Sequence, residues 1–265
     1  MNKQTVLITG ATSGIGLELA KLFAQDNYRI IIVARDQQEL EQTTMQLKAL
    51  TDSEIIAIPK DLFEKEAAFQ LYDEVKAKGL VVDVLVNNAG QGQFGVFVES
   101  DIRRQLEIIQ LNISSLVALS YLFLQDFTRQ GSGKLLNLSS IASKTPGPWQ
   151  AVYHATKAFV QSFTEAVRSE VKETGITVTA LLPGVTDTDF FNKADMNESK
   201  AVQDKDKMAD PAEVAKDGYD ALMRGDDMVV SGIANKLQVA IGAVTPDESL
   251  ADTTKEKQKP VTDDK

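Results

Sequence analysis

Seven short runs dominated by Val, Ile and Leu recur along the chain: TVLIT (5–9), RIIIVA (29–34), EIIAI (54–58), VDVLV (82–86), KLLNL (134–138), ITVTALL (176–182) and MVVS (228–231). Several show no alternation with polar residues, so both faces of such strands must be covered, as in a parallel sheet flanked by helices. Helix-period segments fill the intervals, near 15–25, 38–50, 64–77, 100–127, 152–173 and 211–224. This alternation predicts repeated βαβ units and an α/β fold. The last helix carries its own punctuation: Asp210 as cap, Pro211 at the first helical position, Glu213 completing a capping box and Gly225 as the stop. A further apolar stretch, 233–244, predicts a helix near the sheet edge.

The 265 residues fit one α/β domain, assigned to 1–245. After Pro246 the sequence DESLADTTKEKQKPVTDDK holds little apolar surface to offset the entropy of ordering, and a disordered charged tail is expected over 246–265. Lys+Arg 28 against Asp+Glu 38 gives a net charge of −10, which disfavours nucleic acid and anionic membranes as partners. With no cysteine and one histidine, thiolate and His-rich metal sites are excluded. The first residues, MNKQTVLITG, run from polar residues straight into a strand, and a cytoplasmic location is expected. The apolar stretch 108–125 is interrupted by Gln110, Asn112, Ser114, Ser115 and Ser120, so it reads as a buried helix rather than a membrane span.

TGATSGIG (9–16) lies between the first strand and the first helix. Gly10 suits a tight turn, Gly14 a close approach of backbone to a pyrophosphate, and Gly16 the packing of helix on strand. The helix N-terminus adds unpaired N–H groups and a positive dipole end. Downstream, YHATKAF (153–159) places Tyr153 and Lys157 four residues apart, roughly 40° apart around a helix, whereas His154 is turned by about 100°. Tyrosine and lysine can therefore act together, with His154 a bystander on the side of the helix. No G-x-S-x-G elbow supports a serine hydrolase built on that histidine.

The spacing G-x-x-x-G-x-G, NNAG (87–90) after the fourth strand, and Tyr153 with Lys157 together resemble the short-chain dehydrogenase/reductase family, over about residues 5–232. The resemblance implies a Rossmann-like, doubly wound sheet of seven parallel strands in a single domain, with a nicotinamide dinucleotide across the strand ends. It further implies that Tyr153 donates a proton to a carbonyl oxygen as hydride arrives, its phenol brought toward neutrality by the Lys157 ammonium and the nicotinamide ring. Lys157 would also bind the nicotinamide ribose. Ser140 lies thirteen residues before Tyr153, the family's interval for a serine that binds the substrate oxygen; Ser139 and Ser143 are its rivals. Asn112 matches the family's fourth catalytic residue, which holds a water linking lysine to solvent, or else it is a polar register residue between helices.

The cofactor contacts implied are Gly10, Ser13, Gly14, Ile15 and Gly16 in the first turn, Asp61 and Leu62 at the adenine, Asn88, Ala89 and Gly90 after the fourth strand, and Pro183, Gly184 and Thr188 after the sixth. Asp61 also suits a helix cap, and Thr188 a local turn. The second strand ends Ala34-Arg35, a basic residue in place of an acid, which favours NADP(H) over NAD(H) unless Arg35 merely pairs with Asp36. Residues 189–208 correspond to the substrate lid. Phe190, Phe191, Met196 and Met208, with Phe94, Phe97 and Trp149, are candidates for an apolar pocket. The resemblance implies a small carbonyl or alcohol substrate and a homodimer or homotetramer paired through the apolar 100–127 helix. The rival function is a catalytically idle NADP-binding module of the same fold.

Overall fold

The computed structural model describes residues 3–261. The strands are β1 (Thr5–Thr9), β2 (Arg29–Ala34), β3 (Ile55–Pro59), β4 (Val84–Asn87), β5 (Gly133–Leu138), β6 (Ile176–Leu182) and β7 (Met228–Val230). They pair in parallel throughout, in the order β3-β2-β1-β4-β5-β6-β7. The chain winds outward from β1 to β3, then crosses back to β4 and winds the other way. The carboxyl ends of β1 and β4 thus diverge at a topological switch point, where such sheets leave a crevice.

Alternate residues of β1 explain why the runs lack polar members. Val6 and Ile8 pack with Leu19 and Phe23 of α1 (Gly14–Gln25), Leu40 and Leu47 of α2 (Gln37–Lys48), and Val214 and Leu222 of α8 (Pro211–Arg224). Leu7 faces the other way, onto Leu71 and Val75 of α3 (Ala67–Ala77) and Phe123 and Phe127 of α5 (Leu116–Gln130). Helix α8 is capped as its sequence predicts: the Asp210 carboxylate accepts from the Ala212 N–H at 2.8 Å, and Gly225 ends the helix at φ +79°.

The long helix expected over 100–127 runs from Ile102 to Gln130 in three pieces: α4 (Ile102–Ile109), a π-helical turn Gln110–Ser115, and α5. It is long and apolar enough to cross a membrane by length and composition alone. Buried Leu111, Leu119, Phe123 and Phe127 seat it against the sheet, and its polar residues find partners inside. Ser115 donates to the Leu62 carbonyl at 2.7 Å, and Ser120 accepts from Asn87 at 3.0 Å. The remaining helices are α6 (Ala151–Val171), α7 (Phe190–Lys193), α9 (Ile233–Gly242) and α10 (Asp247–Gln258).

Helix α10 corrects the expectation of a disordered tail over 246–265. Residues 247–258 form a helix whose last residue, Gln258, is buried, and the following backbone pairs with the segment around Ser199. The apolar deficit is real, but main-chain and amide hydrogen bonds fix this segment instead. Residues 262–265 lie outside the described residues.

Candidate active site

A cleft of about 970 Å³ opens at the carboxyl ends of β1, β2, β4, β5 and β6. At its floor, α1 begins without a side-chain cap: Ser13 stands at the N-cap position but accepts nothing from the first turn, which carries no acidic residue. The first-turn N–H groups of α1 therefore face an anion-ready crevice. Gly14 holds φ +54°, a left-handed conformation that glycine adopts without a steric penalty. Gly16 has no room for a side chain, since a Cβ there would press into the Gly10 carbonyl oxygen and the Asn88 amide. Asn88 closes this cradle, its Nδ2 donating to Thr9 O and Gly10 O at 2.9 Å each. Thr9 Oγ1 in turn accepts from Asn88 N at 3.1 Å and Ala89 N at 3.0 Å. A loop shaped around free amides, with glycines where backbone must come close, fits the diphosphate of a dinucleotide.

Gly10, Ser13, Gly14, Ile15, Arg35, Asp61, Leu62, Asn88, Ala89, Gly90, Pro183, Gly184 and Thr188 all line this cleft, while Gly16 packs behind it. Asp61 does not cap α3; its carboxylate accepts from Phe63 N at 3.1 Å in a local turn. Thr188 accepts from Phe190 N at 3.4 Å, the local turn that its rival reading named, and a Cβ on Gly14 would lie 2.8 Å from its methyl. Arg35 does not depend on Asp36, which caps α2 by accepting from Glu39 N at 2.9 Å. Its guanidinium lies 5.0 Å from the Phe63 ring centroid, and Arg104 lies over the same ring, also at 5.0 Å.

The other end of the cleft holds Tyr153, Lys157 and Ser140. Helix α6 puts the first two on one face, with the Lys157 ammonium 5.8 Å from the Tyr153 ring centroid. Lys157 donates to the Leu138 carbonyl at 2.8 Å. Ser139 is spent on the Lys157 carbonyl at 3.0 Å, and Ser143 has a buried hydroxyl without a partner. Ser140 opens the turn after β5, where its hydroxyl accepts from Ala142 N at 3.1 Å and donates to Pro183 O at 3.3 Å, and it lines the cleft beside Tyr153. Ser139 and Ser140 both line the cleft, whereas Ser143 does not.

Burial governs both titratable groups. It pushes the Tyr153 phenol up to about 12, against a smaller downward pull from Ser140, and brings the Lys157 amine down to about 8. The expected lowering of the phenol by lysine is thus absent from the chain alone: burial raises the phenol, and the Lys157 ammonium directs its bond at Leu138 O. His154 leaves the Tyr153 face as helical geometry requires, yet it is buried and lines the same cleft. Its Nδ1 meets the Thr145 carbonyl at 2.8 Å, and burial lowers its pKa.

Asn112 sits in the π turn, where an extra residue in the helical ladder projects it toward the site. Its amide accepts from Gln91 N at 3.0 Å and donates to Gln91 O at 2.8 Å and Thr156 Oγ1 at 3.0 Å. It thereby ties the loop after β4 to α6, and a Cβ on Gly90 would lie 3.3 Å from Asn112 Oδ1 and 3.4 Å from Lys157 Nζ. Thr9, Gln91 and Thr156 escaped the sequence reading, because no residue type or spacing distinguishes them from ordinary core positions.

Of the candidates for an apolar pocket, Phe190, Phe191 and Met196 line the cleft, with Phe190 tilted against Tyr153 at 5.2 Å. Phe94 and Met208 pack behind them with buried Ala194, Met196 and Val202, so the 189–208 segment is a small folded cluster rather than a loose loop. Trp149 stacks on Phe94 at 5.7 Å, and Phe97 is exposed; neither lines the cleft.

Comparison with known proteins agrees with this architecture. The family model described as short chain dehydrogenase matches residues 4–199. Sulfoacetaldehyde reductase 2 of Chromohalobacter salexigens is 33% identical over 187 residues, 70% of this chain and 73% of that protein. Dehydrogenase/reductase SDR family member 7B of Danio rerio is 29% identical over 253 residues, 92% of this chain and 82% of its own. A short-chain dehydrogenase from Sphingobium yanoikuyae, solved in complex with NADPH, superposes with a TM-score of 0.81 at 27% identity, covering 91% of this chain and 93% of its own.

Proposed function

The chain belongs to the short-chain dehydrogenase/reductase family, enzymes acting on CH–OH or C=O groups with NAD(P), and from that premise we propose an NADP(H)-dependent oxidoreductase interconverting a carbonyl and an alcohol, with Tyr153 as proton donor and acceptor. The observation that carries the reading is the convergence of Tyr153, Ser140 and Lys157 in the same cleft as the glycine cradle, with Asn112 across Gly90. A nicotinamide dinucleotide, when bound, supplies or receives the hydride. Ser140 donates to the substrate oxygen, and the Tyr153 phenol gives its proton to that oxygen in reduction and regains it in oxidation. Lys157, fixed through Leu138 O, would hold the nicotinamide ribose and carry the positive charge that favours phenolate.

The preference for NADP(H) rests on Arg35, an exposed cation steered over Phe63 at the adenine end, with Ala34 in place of an acid. The NADPH bound to the Sphingobium protein is consistent with it. Assembly through the 102–130 helix and α6 is supported by apolar side chains left in solvent: Ile102 at 56%, Leu106 at 57%, Tyr121 at 61% and Phe159 at 42% exposure. A monomeric mass by light scattering at micromolar concentration would remove that part.

The decisive experiment is Tyr153→Phe, followed by NADPH oxidation over a panel of ketones and aldehydes. Removing a positioned general acid is expected to cost about 10²–10⁴-fold in turnover while NADPH binding stays nearly unchanged. Wild type and variant that bind NADPH equally and turn over nothing would instead describe an idle binding module.

A further inference from the structure

Two guanidinium groups share one phenyl ring at the adenosine end of the cleft, and only one of them belongs to the cleft wall. Arg35, just after β2, and Phe63, in the turn after β3, line the cleft; Arg104, on α4, does not. The central carbon of each guanidinium lies 5.0 Å from the Phe63 ring centroid. A cation at that distance is drawn to the face of an aromatic ring, and a guanidinium can also stack on it.

The two arginines differ in how they are held. Arg104 is anchored by two further groups: Nη1 meets Glu107 Oε2 at 3.1 Å, and Nη2 donates to Gln91 Oε1. Gln91 is itself fixed, since Asn112 accepts from its N–H at 3.0 Å and donates to its carbonyl at 2.8 Å. Arg35 is exposed, and among the described residues its guanidinium makes no ion pair. Lys60, the other cation lining this end, is paired with Glu74 at 3.5 Å. Phe63 links the unequal pair. Its N–H donates to Asp61 at 3.1 Å, and its ring packs against the core cluster that contains Leu62 and Leu71. An anchored cation against the ring restricts its side-chain freedom, and a restricted ring is a platform that orders Arg35 before a phosphate arrives. A group ordered in advance loses less entropy on binding.

We propose that Arg104 is a positioning residue for recognition of the 2′-phosphate: it fixes the Phe63 ring, and the ring fixes Arg35. Arg104 stands outside the cleft wall and acts through the phenyl group alone. This rests on the NADP(H) reading above.

Adenosine 2′,5′-bisphosphate and adenosine 5′-phosphate differ only in the 2′-phosphate, so calorimetric titration of each into the full chain reads this corner without turnover. The ratio of their affinities is measured for wild type, Arg104→Met, Arg104→Lys, Phe63→Leu and the double variant of Arg104→Met with Phe63→Leu. Wild type should favour the bisphosphate. Arg104→Met should lower the ratio by about 2–5-fold, the worth of one partly exposed cation–π contact, with affinity for the monophosphate unchanged. Arg104→Lys keeps the charge without the planar fork and should fall between the two. In the Phe63→Leu background Arg104→Met should have no further effect, because the ring carries the coupling. A residue that serves stability alone would weaken both nucleotides together, or lower Tm with the ratio unmoved. Either result, or an Arg104 effect that persists without the ring, overturns the proposal. A wild-type preference that Arg104→Met leaves intact overturns the proposal and spares the NADP(H) reading, whereas a wild type that binds both nucleotides equally overturns the two together.

Discussion

Lys157 is a charge held where burial penalises it. Burial is the cause that takes its amine from the ordinary 10.5 down to about 8, and its one hydrogen bond here goes to the neutral Leu138 carbonyl. A ten-fold change in proton affinity corresponds to about 1.4 kcal/mol, so the gap between 10.5 and about 8 is worth about 3 kcal/mol. Between those values the unfolded chain binds a proton at this position that the folded chain does not, and stability must rise with pH. The contribution is complete above 10.5 and is lost as pH falls through about 8. Replacing the residue by Met keeps the stem and removes the charge. The variant's absolute stability at one pH mixes two effects, because Leu138 O also loses its donor. The pH dependence of the difference isolates the charge. In urea unfolding of cofactor-free protein from pH 7 to 10.5, wild type should gain about 3 kcal/mol on Lys157→Met, roughly linearly above pH 8. Tyr153, raised from 10.0 to about 12 by burial, adds its own pH dependence only near the top of this window, and because both proteins carry it that contribution cancels in the difference. A constant difference between the two proteins would refute the claim that the ammonium is held against a desolvation penalty. The same variant should lose turnover, which would show a group costly to the fold and needed by the reaction.

Two further substitutions probe the dinucleotide end. Gly16→Ala drives a Cβ into Gly10 O and Asn88 Nδ2, both parts of the cradle, and should abolish NADPH binding measured by fluorescence titration, with at least a lowered Tm if the loop shifts to accommodate it. Arg35→Ala should raise the KM for NADPH by about 10–100-fold, the worth of a charge-assisted hydrogen bond to phosphate, and leave that for NADH within about two-fold; equal effects on both cofactors would detach Arg35 from the 2′-phosphate.

Much of the scaffold was legible because parallel strands covered on both faces must be apolar on both faces. The run 29–34 is RIIIVA in sequence and β2 in the structure without a shift of either end. Single-residue chemistry was legible where a rule of spacing applies: Tyr153 and Lys157 share a helix face, and Asp210 and Gly225 bound α8 as their types require. The π turn was not. Asn112 stood out as a misfit in an apolar helix, but nothing in its neighbours says that the ladder opens by one residue there, because that opening answers a demand from elsewhere. Gln91, from the loop after β4, and Thr156, from α6, offer the partners that draw the asparagine inward. Titration behaviour was misjudged for a related reason. Sequence places a lysine beside a tyrosine but carries no measure of how dry the pair becomes, and dryness dominates both groups.

The C-terminal segment shows the limit of hydrophobic pattern as a guide to order. Its helix presents few apolar residues, and by burial of apolar area alone it should stay loose. What holds it is a strand-like bridge at Ser199 and Pro260, with an amide wedged against His154 and Gln150, interactions supplied by the lid and α6 rather than by the tail's own composition. Such bonds contribute only when the partner is already in place, so the order of this segment depends on a folded lid. The dependence runs both ways. Ser199 is buried by the tail it binds, and the lid's cluster of Ala194, Met196 and Val202 lies beside that bridge. The 189–208 segment and the C-terminal helix are therefore one coupled unit, and a change to either should be read first in the exchange of the Lys200 and Val261 amides.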